Sequence, residues 1–371
     1  MRIKNGLVFR DGGHFEYDSL FIKNGQFAEF CAGEELDAEG LYVIPGLIDI
    51  HFHGCMGHDF SDGTTEGLKA MSGYQLKNGI TAICPATMSL PIEELERALK
   101  CASYHGKSEG ATFVGVNLEG PFLSPEKAGA QKKEYLRLPD KEIFGRLQRH
   151  AGGMIKLLTI APEMPGAMEF VQAVGEKVRI SLGHTATDYD TAMKAFAAGA
   201  RHVTHFYNAM EPFRHREPGL IGAAYDTKDV MVELIADGQH IHPAVIRATF
   251  QMFGADRIIL ISDSMRACGL SDGVYTLGGQ AVTVSGPRAT LSDGTLAGSV
   301  CNLMDMVRNA VKMGIPLGDA VKCATVNPAK AIGIYGTRGS LRSGRIADAV
   351  LLDKDLNIRY IIQEGRVISC G

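Results

Sequence analysis

The middle of this chain alternates short apolar runs with helix-like segments, and this alternation restricts the fold more than any other feature. Eight candidate strands lie near 43–50, 80–84, 113–118, 155–160, 178–182, 202–206, 230–235 and 258–262. A helix is expected over 243–253, where Pro243 suits a first turn. Another is expected over 300–311, where the apolar residues recur on one helical face. Eight such βα units within residues 46–337 predict a (β/α)8 barrel.

The two ends of the chain have a different pattern. Residues 1–45 and 338–371 alternate short apolar runs with turns, including Asn24-Gly25, a dipeptide typical of β-hairpins. We therefore expect the termini to form one small β domain that flanks a barrel domain over 46–337. Residues 272–297 are rich in Gly, Thr and Val, and we expect them to form a hairpin insertion in the barrel.

The alternative architecture is an open, doubly wound sheet. Dinucleotide-binding sheets of this kind carry a G-x-G-x-x-G motif that opens a helix directly after a strand. The sequence has no such motif in that position, which weakens the alternative.

Residues able to bind a metal or carry a proton end five of the eight candidate strands. They are His51 and His53, Glu119, His184, His205 and Asp263. Catalytic residues of barrel enzymes lie at these strand ends. Imidazole and carboxylate groups are ligands of zinc and similar ions, and three protein ligands leave one position for water. In the pattern His-x-His the two side chains point to the same face of an extended strand. The set predicts a metal-dependent hydrolase, because such an ion ionises its water near neutral pH.

The remaining histidines are interpreted as structural or surface residues. His202 begins its candidate strand, whereas His58, His215 and His242 lie in loops or at surfaces. Taken alone, Arg216 would be an exposed charge.

Composition excludes several classes of partner. The net charge is −4 with no basic stripe, so nucleic acid is not expected, while an anionic small molecule needs only one or two arginines. No apolar run is long enough for a signal peptide or a membrane span. The eight cysteines form no CxxC pair, which indicates reduced, mostly buried thiols in a cytoplasmic protein.

The chain resembles the N-acetylglucosamine-6-phosphate deacetylases, a branch of the amidohydrolase superfamily, through nearly its whole length. The segment from His205 to Leu220 is the most specific part, since it separates this branch from dihydroorotases, ureases and adenosine deaminases. The resemblance implies a (β/α)8 barrel with a small β-sandwich built from both termini. The motifs that carry it are Pro45-Gly-Leu-Ile-Asp49, Leu118-Glu-Gly-Pro121, Ser181-Leu-Gly-His184, Thr204-His-Phe-Tyr-Asn-Ala-Met210, Arg216-Glu-Pro-Gly-Leu220, Ala236-Asp-Gly-Gln-His240, Ser262-Asp263 and Leu296-Ala-Gly-Ser299.

The resemblance also implies roles for individual residues. The principal divalent metal, zinc first and ferrous iron as the alternative, would be held by Glu119, His184 and His205. Asp263 would be the general base and then the general acid, and His240 would contact the acetyl carbonyl. Arg216 would bind the 6-phosphate of the amino sugar across the interface of a homodimer. The expected lining of the sugar site is Ala130, Gln131, Asn208, Ala209, Leu296, Ala297 and Gly298.

Two positions vary within the family. A histidine often follows Gly-Ala in the loop beyond strand three, whereas this chain has Gln131, which can donate a hydrogen bond but cannot be cationic. His51 and His53 are both present, so a second metal site bridged by Glu119 is an expectation that the sequence leaves open. The sequence also leaves open N-acetylgalactosamine 6-phosphate as substrate, another amidohydrolase activity, and a non-catalytic scaffold on the same fold.

Overall fold

The structure, a computed structural model, describes residues 1–103 and 110–368. Residues 369–371, which include the eighth cysteine, Cys370, lie outside the described residues, as does the end of the predicted segment 338–371.

Both ends of the described chain contribute to one mixed eight-stranded sheet. Its strands are β1 (Arg2–Arg10), β2 (His14–Lys23), β3 (Gln26–Ala28), β4 (Glu35–Asp37), β5 (Tyr42–Pro45), β20 (Ala349–Leu352), β21 (Ile358–Gln363) and β22 (Arg366–Ile368). The order is β22-β21-β20-β5-β1-β2-β3, with β4 paired to β1. The predicted Asn24-Gly25 turn is confirmed: it joins β2 to β3, and both residues have positive φ, 53° and 78°.

The middle of the chain contains two parallel sheets that lie edge to edge. The three-stranded sheet has the order β10 (Thr112–Phe113), β9 (Ile80–Ile83) and β6 (Leu47–Asp49). The six-stranded sheet runs in chain order through β11 (Val116–Glu119), β12 (Ile155–Ile160), β13 (Arg179–Leu182), β14 (His202–Val203), β15 (Met231–Leu234) and β16 (Ile258–Leu260). Asn117 N donates to Pro85 O across 2.9 Å, and Asp263 N donates to His51 O across 2.9 Å, so hydrogen bonds join both edges.

The predicted parallel α/β organisation is confirmed, but two candidate strands are wrong as single strands. The run 43–50 breaks at Gly46 into β5 and β6, which belong to different sheets. A Cβ at Gly46 would lie 2.1 Å from Thr81 Oγ1, so the backbone passes too close to β9 for a larger residue. The run 113–118 breaks in the same way into β10 and β11.

Helices separate the parallel strands, and the helix predicted over 243–253 is confirmed. It is α7, with Pro243 in its first turn and Gly254 at φ 66° directly after it. The helices are α1 (Thr65–Lys77), α2 (Ile92–Ser103), α3 (Lys141–His150), α4 (Ala167–Val174), α5 (Tyr189–Ala198), α6 (Gly219–Asp226), α7 (Pro243–Phe253), α8 (Leu303–Lys312), α9 (Leu317–Ala324) and α10 (Val326–Ala331), with 3-10 turns at Phe60–Asp62, Pro125–Lys127 and Lys133–Tyr135. The helix predicted over 300–311 begins three residues later, because Asn302 caps it by accepting from Asp305 N.

Two small antiparallel sheets complete the described elements. One consists of β7 (Gly54–Cys55) and β8 (His58–Asp59), and the other of β17 (Gly273–Leu277), β18 (Gln280–Ser285) and β19 (Arg288–Thr290). The second sheet lies within 272–297, and Gln280 Nε2 donates to Ala130 O across 2.7 Å. This contact places the β17–β18 turn against the loop that follows β11. Among residues 1–103 and 110–368, no helix is both long and apolar enough to cross a membrane.

Candidate active site

The side chains of His184 and His205, from two different strand ends, converge on the carboxylate of Glu119, which lies at a third. Its Oε1 atom lies 3.2 Å from His184 Nε2 and 3.0 Å from His205 Nε2, and these two nitrogens are 3.0 Å apart. All three side chains are buried. The structure therefore brings together the predicted principal metal ligands, which form one of the two groups of donors close enough to hold an ion in the described chain.

His51, His53 and Asp263 form the second group, on the other side of the same carboxylate. His51 Nε2 is 3.4 Å from Glu119 Oε1, and His53 Nε2 is 3.3 Å from Glu119 Oε2. Asp263 Oδ1 lies 3.4 Å from His53 Nε2 and 3.7 Å from His51 Nε2. Glu119 is thus positioned between two sets of donors.

The donor atoms fit a divalent cation. In a tetrahedral zinc site with Zn–N bonds near 2.0 Å, ligand nitrogens lie roughly 3.3 Å apart, close to the His184–His205 separation. His51 Nε2 is buried and has no hydrogen-bond partner among the described residues, although it faces two carboxylates. A divalent cation bound between this nitrogen and the two carboxylates would satisfy it.

Several of these residues adopt backbone conformations that side-chain-bearing residues rarely use. His184, His205 and Asp263 have φ of 47°, 27° and 44°, and Ala209 has φ of 50°. Each of the first three follows a strand that ends two or three residues earlier. Backbone strain of this kind in residues with side chains is typical of functional sites.

Hydrogen bonds from outside the cluster orient the rings. His184 Nδ1 lies 2.8 Å from Lys127 O, which fixes Nδ1 as the donor and leaves Nε2 for the cluster. His240 Nδ1 is 2.6 Å from Asp237 Oδ2. Ligand histidines in metal proteins usually donate their second N–H in this manner.

The protein's own charges shift the pKa values strongly. Burial opposes ionisation of Glu119, but His51, His184 and His205 outweigh it and hold the pKa of Glu119 well below its ordinary value. Burial also opposes the charge of His53, yet hydrogen bonds to Asp263 and Glu119 raise the pKa of His53 to about 10. The pKa of Asp263 is lowered by His53 and His51 against the effect of burial. Asp263 is therefore an anion at neutral pH and can accept a proton.

Most of the predicted substrate residues line one cavity of about 270 Å³ beside this cluster. Those on its wall are Ala130, Gln131, Asn208, Ala209, His240, Leu296 and Gly298. Ala297 is buried outside the wall, and its N–H donates to Ala289 O across 3.0 Å. Met88, Leu277 and Thr295 also line the cavity. The sequence did not single out these three, since their side chains carry no metal-binding or acid–base chemistry.

Arg216 lies away from this cavity. Its side chain is exposed and lines a separate surface pocket with Arg214 and Glu217. Within one chain the structure does not bring Arg216 to the metal-competent cluster.

The other histidines occupy varied places. His215 is exposed, His58 is half-buried, and His242 is exposed and caps α7 by accepting from Ala244 N. His202 is buried, with Nε2 3.0 Å from Glu233 Oε1.

Glu233 itself is a buried residue that the sequence reasoning missed. It is the single charged residue in the apolar strand β15, and that exception was the available signal. The sequence reasoning also missed the buried residue Asp49 as a partner of Ser262. Its carboxylate accepts a hydrogen bond from Ser262 Oγ across 2.5 Å, and burial raises the pKa of Asp49 to about 7.

Comparison with known proteins agrees with this geometry. The Amidohydrolase family profile matches residues 42–368. The chain is 41% identical over 332 residues to an N-acetylglucosamine-6-phosphate deacetylase of Bacillus subtilis (strain 168), covering 88% of this chain and 84% of that protein. It is 34% identical over 339 residues to an N-acetylgalactosamine-6-phosphate deacetylase of Escherichia coli O157:H7, covering 90% and 89%.

The fold of the chain also matches a solved deacetylase structure. It is a mutant N-acetyl-D-glucosamine-6-phosphate deacetylase from Mycobacterium smegmatis in complex with N-acetyl-D-glucosamine-6-phosphate. Its TM-score is 0.90 at 32% identity, over 99% of this chain and 98% of that one. The resemblance inferred from the sequence motifs is thereby confirmed. A match over most of the chain, together with metal-competent residues at the strand ends, shows that the chain belongs to the amidohydrolase family.

Proposed function

We propose that the protein hydrolyses the acetamide of N-acetylglucosamine 6-phosphate to glucosamine 6-phosphate and acetate, as a step of amino-sugar catabolism. The observation that carries this proposal is the placement of Asp263 beside the Glu119–His184–His205 cluster on the wall of a single cavity. Relatives that act on this substrate match most of the chain.

Glu119, His184 and His205 would hold the principal ion, zinc first and ferrous iron as the alternative. His51 and His53 would complete a second site, with Glu119 between the two. Bound there, a divalent ion supplies a Lewis acid and lowers the pKa of water to near neutrality. The ordered ring orientations support this role, because both imidazoles of the first cluster present Nε2 to the same point.

Asp263 would move the proton. As an anion at neutral pH it would take a proton from the attacking water, and it would later give that proton to the departing amine. His240 would donate to the acetyl oxygen as negative charge develops there. Its Nδ1 is committed to Asp237, so only the protonated ring can donate through Nε2.

The sugar would lie between two walls of the cavity. Asn208 and Ala209 would form one side, while Leu296 and Gly298 would form the other, with Ala130 and Gln131 beside the metal-competent cluster. Ala297 would support its segment through the bond to Ala289 rather than contact the sugar.

The 6-phosphate would be bound by Arg216 of a second copy of the chain. An exposed arginine that lies outside its own cavity can serve a neighbouring cavity in a homodimer. A guanidinium matches phosphate geometry and would position the acetamide rather than take part in chemistry.

The proposed architecture is a closed (β/α)8 barrel over 46–337 with a β-sandwich from 1–45 and 338–371 and an insertion at 272–297. Its support is the pair of hydrogen bonds that join the two parallel sheets at both edges. A cytoplasmic location is part of the same proposal, and the free state of the seven described cysteines fits it.

The test is deacetylation kinetics on four sugars: N-acetylglucosamine and N-acetylgalactosamine, each with and without the 6-phosphate. Metal content is measured on the same sample. The proposal requires the highest kcat/KM for N-acetylglucosamine 6-phosphate. The galacto sugar is the second candidate, favoured by the 34% identical relative from Escherichia coli O157:H7. Turnover that ignores the phosphate would favour another amidohydrolase activity. Absence of turnover after addition of zinc, iron or cobalt would favour a scaffold.

A further inference from the structure

Glu233 is a fully buried carboxylate that lies below the metal-competent cluster on strand β15. Its Oε2 atom is 2.8 Å from His51 Nδ1 and accepts the backbone N–H of His205 across 3.0 Å. Its Oε1 atom is 3.0 Å from His202 Nε2. Both oxygens are thus occupied by N–H donors.

These contacts determine which nitrogen of His51 is available. An ionised carboxylate only accepts hydrogen bonds, so Nδ1 of His51 carries the proton that points to Glu233. The opposite nitrogen, Nε2, then faces Glu119 Oε1 at 3.4 Å and Asp263 Oδ1 at 3.7 Å. It is buried and has no hydrogen-bond partner in the described part of the chain.

Glu233 also contacts the principal cluster through the backbone. His205 has φ of 27°, which is unfavourable for a residue with a side chain. The hydrogen bond from His205 N to Glu233 Oε2 stabilises the turn that directs this ring toward Glu119. One carboxylate therefore contacts a residue from each of the two donor groups, His51 through its ring and His205 through its backbone N–H.

We propose that Glu233 is a positioning residue that sets the His51 ring, and secondarily the His205 turn, for cation binding. This inference rests on the proposed metal-ligand role of His51 and His205. Glu233 does not itself line the cavity, so it would act through His51 and His205. Carboxylates that hold a ligand histidine from behind typically contribute about 10–100-fold to metal affinity.

The principal experiment compares the zinc affinity of the wild-type protein with that of Glu233→Gln, after chelation and titration with zinc ion alone. Glutamine keeps the size, and its one oxygen can still accept from His51 Nδ1 and His205 N while its amide donates to His202, which can change tautomer because His202 Nδ1 has no described partner. The variant therefore removes the negative charge behind His51, which weakens the hydrogen bond that orients the ring and lowers the basicity of the ring as a ligand. We expect the zinc Kd to rise roughly 10–100-fold. Excess zinc should restore part of the lost turnover, which a purely structural role would not allow.

His202→Gln is the matched control. It alters the third contact of Glu233 and the packing of β14, but it leaves the bonds to His51 and His205 in place. Its zinc Kd should stay within about threefold of the wild-type value, well short of the change typical of ligand-orienting carboxylates. Equal zinc affinity in Glu233→Gln and wild type would overturn the inference, whatever happens to the melting temperature. Equal losses in both variants would also overturn it.

A crystal structure of the zinc-loaded wild-type protein decides the matter if Glu233→Gln does not fold. The expected result is an ion on His51 Nε2 with Glu233 still on Nδ1. No ion at His51, or an ion bound directly by Glu233, would contradict the inference. Both experiments measure metal binding rather than turnover, so they stand even if the proposed deacetylase activity fails.

Discussion

Gln131 Nε2 donates a hydrogen bond to Glu119 Oε2 across 2.7 Å, while Gln131 Oε1 accepts the backbone N–H of Ser89 across 2.7 Å. The Ser89 contact fixes the orientation of the amide, because only the oxygen end can accept. The residue that replaces a frequent family histidine therefore holds the carboxylate at the centre of the candidate metal sites.

The first prediction follows from this bridge. Gln131→Leu removes the donor to Glu119 and leaves the buried Ser89 N–H without its acceptor. A buried group left unpaired costs about 1–3 kcal/mol, so the metal-free variant should be less stable by roughly that amount. Thermal unfolding in chelator measures the loss. Gln131→Glu is the control for the Glu119 contact. It keeps an acceptor for the Ser89 N–H but replaces the donor to Glu119 with a second carboxylate. An unchanged melting temperature in Gln131→Leu would show that neither bond contributes.

The second prediction concerns Asp263. Its Oδ1 atom lies 3.4 Å from His53 Nε2, and its lowered pKa makes it an anion at neutral pH. Asp263→Asn keeps the shape but cannot accept the water proton, so kcat should fall by about 10²–10⁴-fold. Metal content and substrate affinity, measured by elemental analysis and calorimetry, should change little. Near wild-type turnover would exclude Asp263 as the proton carrier.

How far the sequence predicts this site depends on where each residue lies in its strand. His51, Glu119, His184, His205 and Asp263 were identifiable because each follows an apolar run, and strand ends of a parallel sheet meet at one edge. The structure brings these residues together as expected.

Glu233 could not be found in the same way. It lies inside β15, and only three-dimensional packing reveals which neighbouring rings it faces. Gln131 is a similar case. The sequence suggested a side chain on the wall of the sugar site, and Gln131 does line the cavity, but only the structure shows that its amide also donates to Glu119.

The sequence also could not predict that residues 43–50 are divided between two sheets. Residues 43–50 form one continuous apolar run, and periodicity does not say that β5 pairs with β20 while β6 pairs with β9. Gly46 lies at the break, where a Cβ would be 2.1 Å from Thr81 Oγ1, and this close approach is between residues distant in sequence.

The third prediction concerns pH. Burial opposes the charge of His240, but the hydrogen bond to Asp237 outweighs it and raises the pKa of His240 above its ordinary value. If the protonated ring donates to the acetyl oxygen, activity is lost as pH rises through that raised pKa. Asp237→Asn removes the anion and lowers the pKa of His240, so the alkaline limb of kcat/KM should move to lower pH. A pH profile of kcat/KM measures this shift.

The same pair has a signed effect on stability. His240, with a raised pKa, contributes stability below its unfolded pKa and loses it as pH rises through the folded value. Asp237, with a lowered pKa, contributes above its unfolded pKa and loses it as pH falls through the folded value. The melting temperature of Asp237→Asn should therefore differ most from that of the wild type at pH values between the unfolded-state pKa of Asp237 and the unfolded-state pKa of His240. Asp226→Asn, at a surface carboxylate paired with Tyr189, is the control and should leave the alkaline limb in place.

The fourth prediction tests whether Arg216 serves the cavity of a second protomer. Arg216→Ala should raise KM for the phosphorylated sugar while kcat changes little, because the guanidinium positions the substrate without chemistry. Mixed dimers of Arg216→Ala with Asp263→Asn separate the two geometries. If Arg216 acts across the interface, the mixed dimer contains one site with both groups intact and one with neither. At substrate concentrations well below the raised KM, the mixture is then more active than the average of its two parents. If Arg216 acts within its own chain, every site lacks one group and the mixture stays as impaired as its parents, a result that would exclude the shared site.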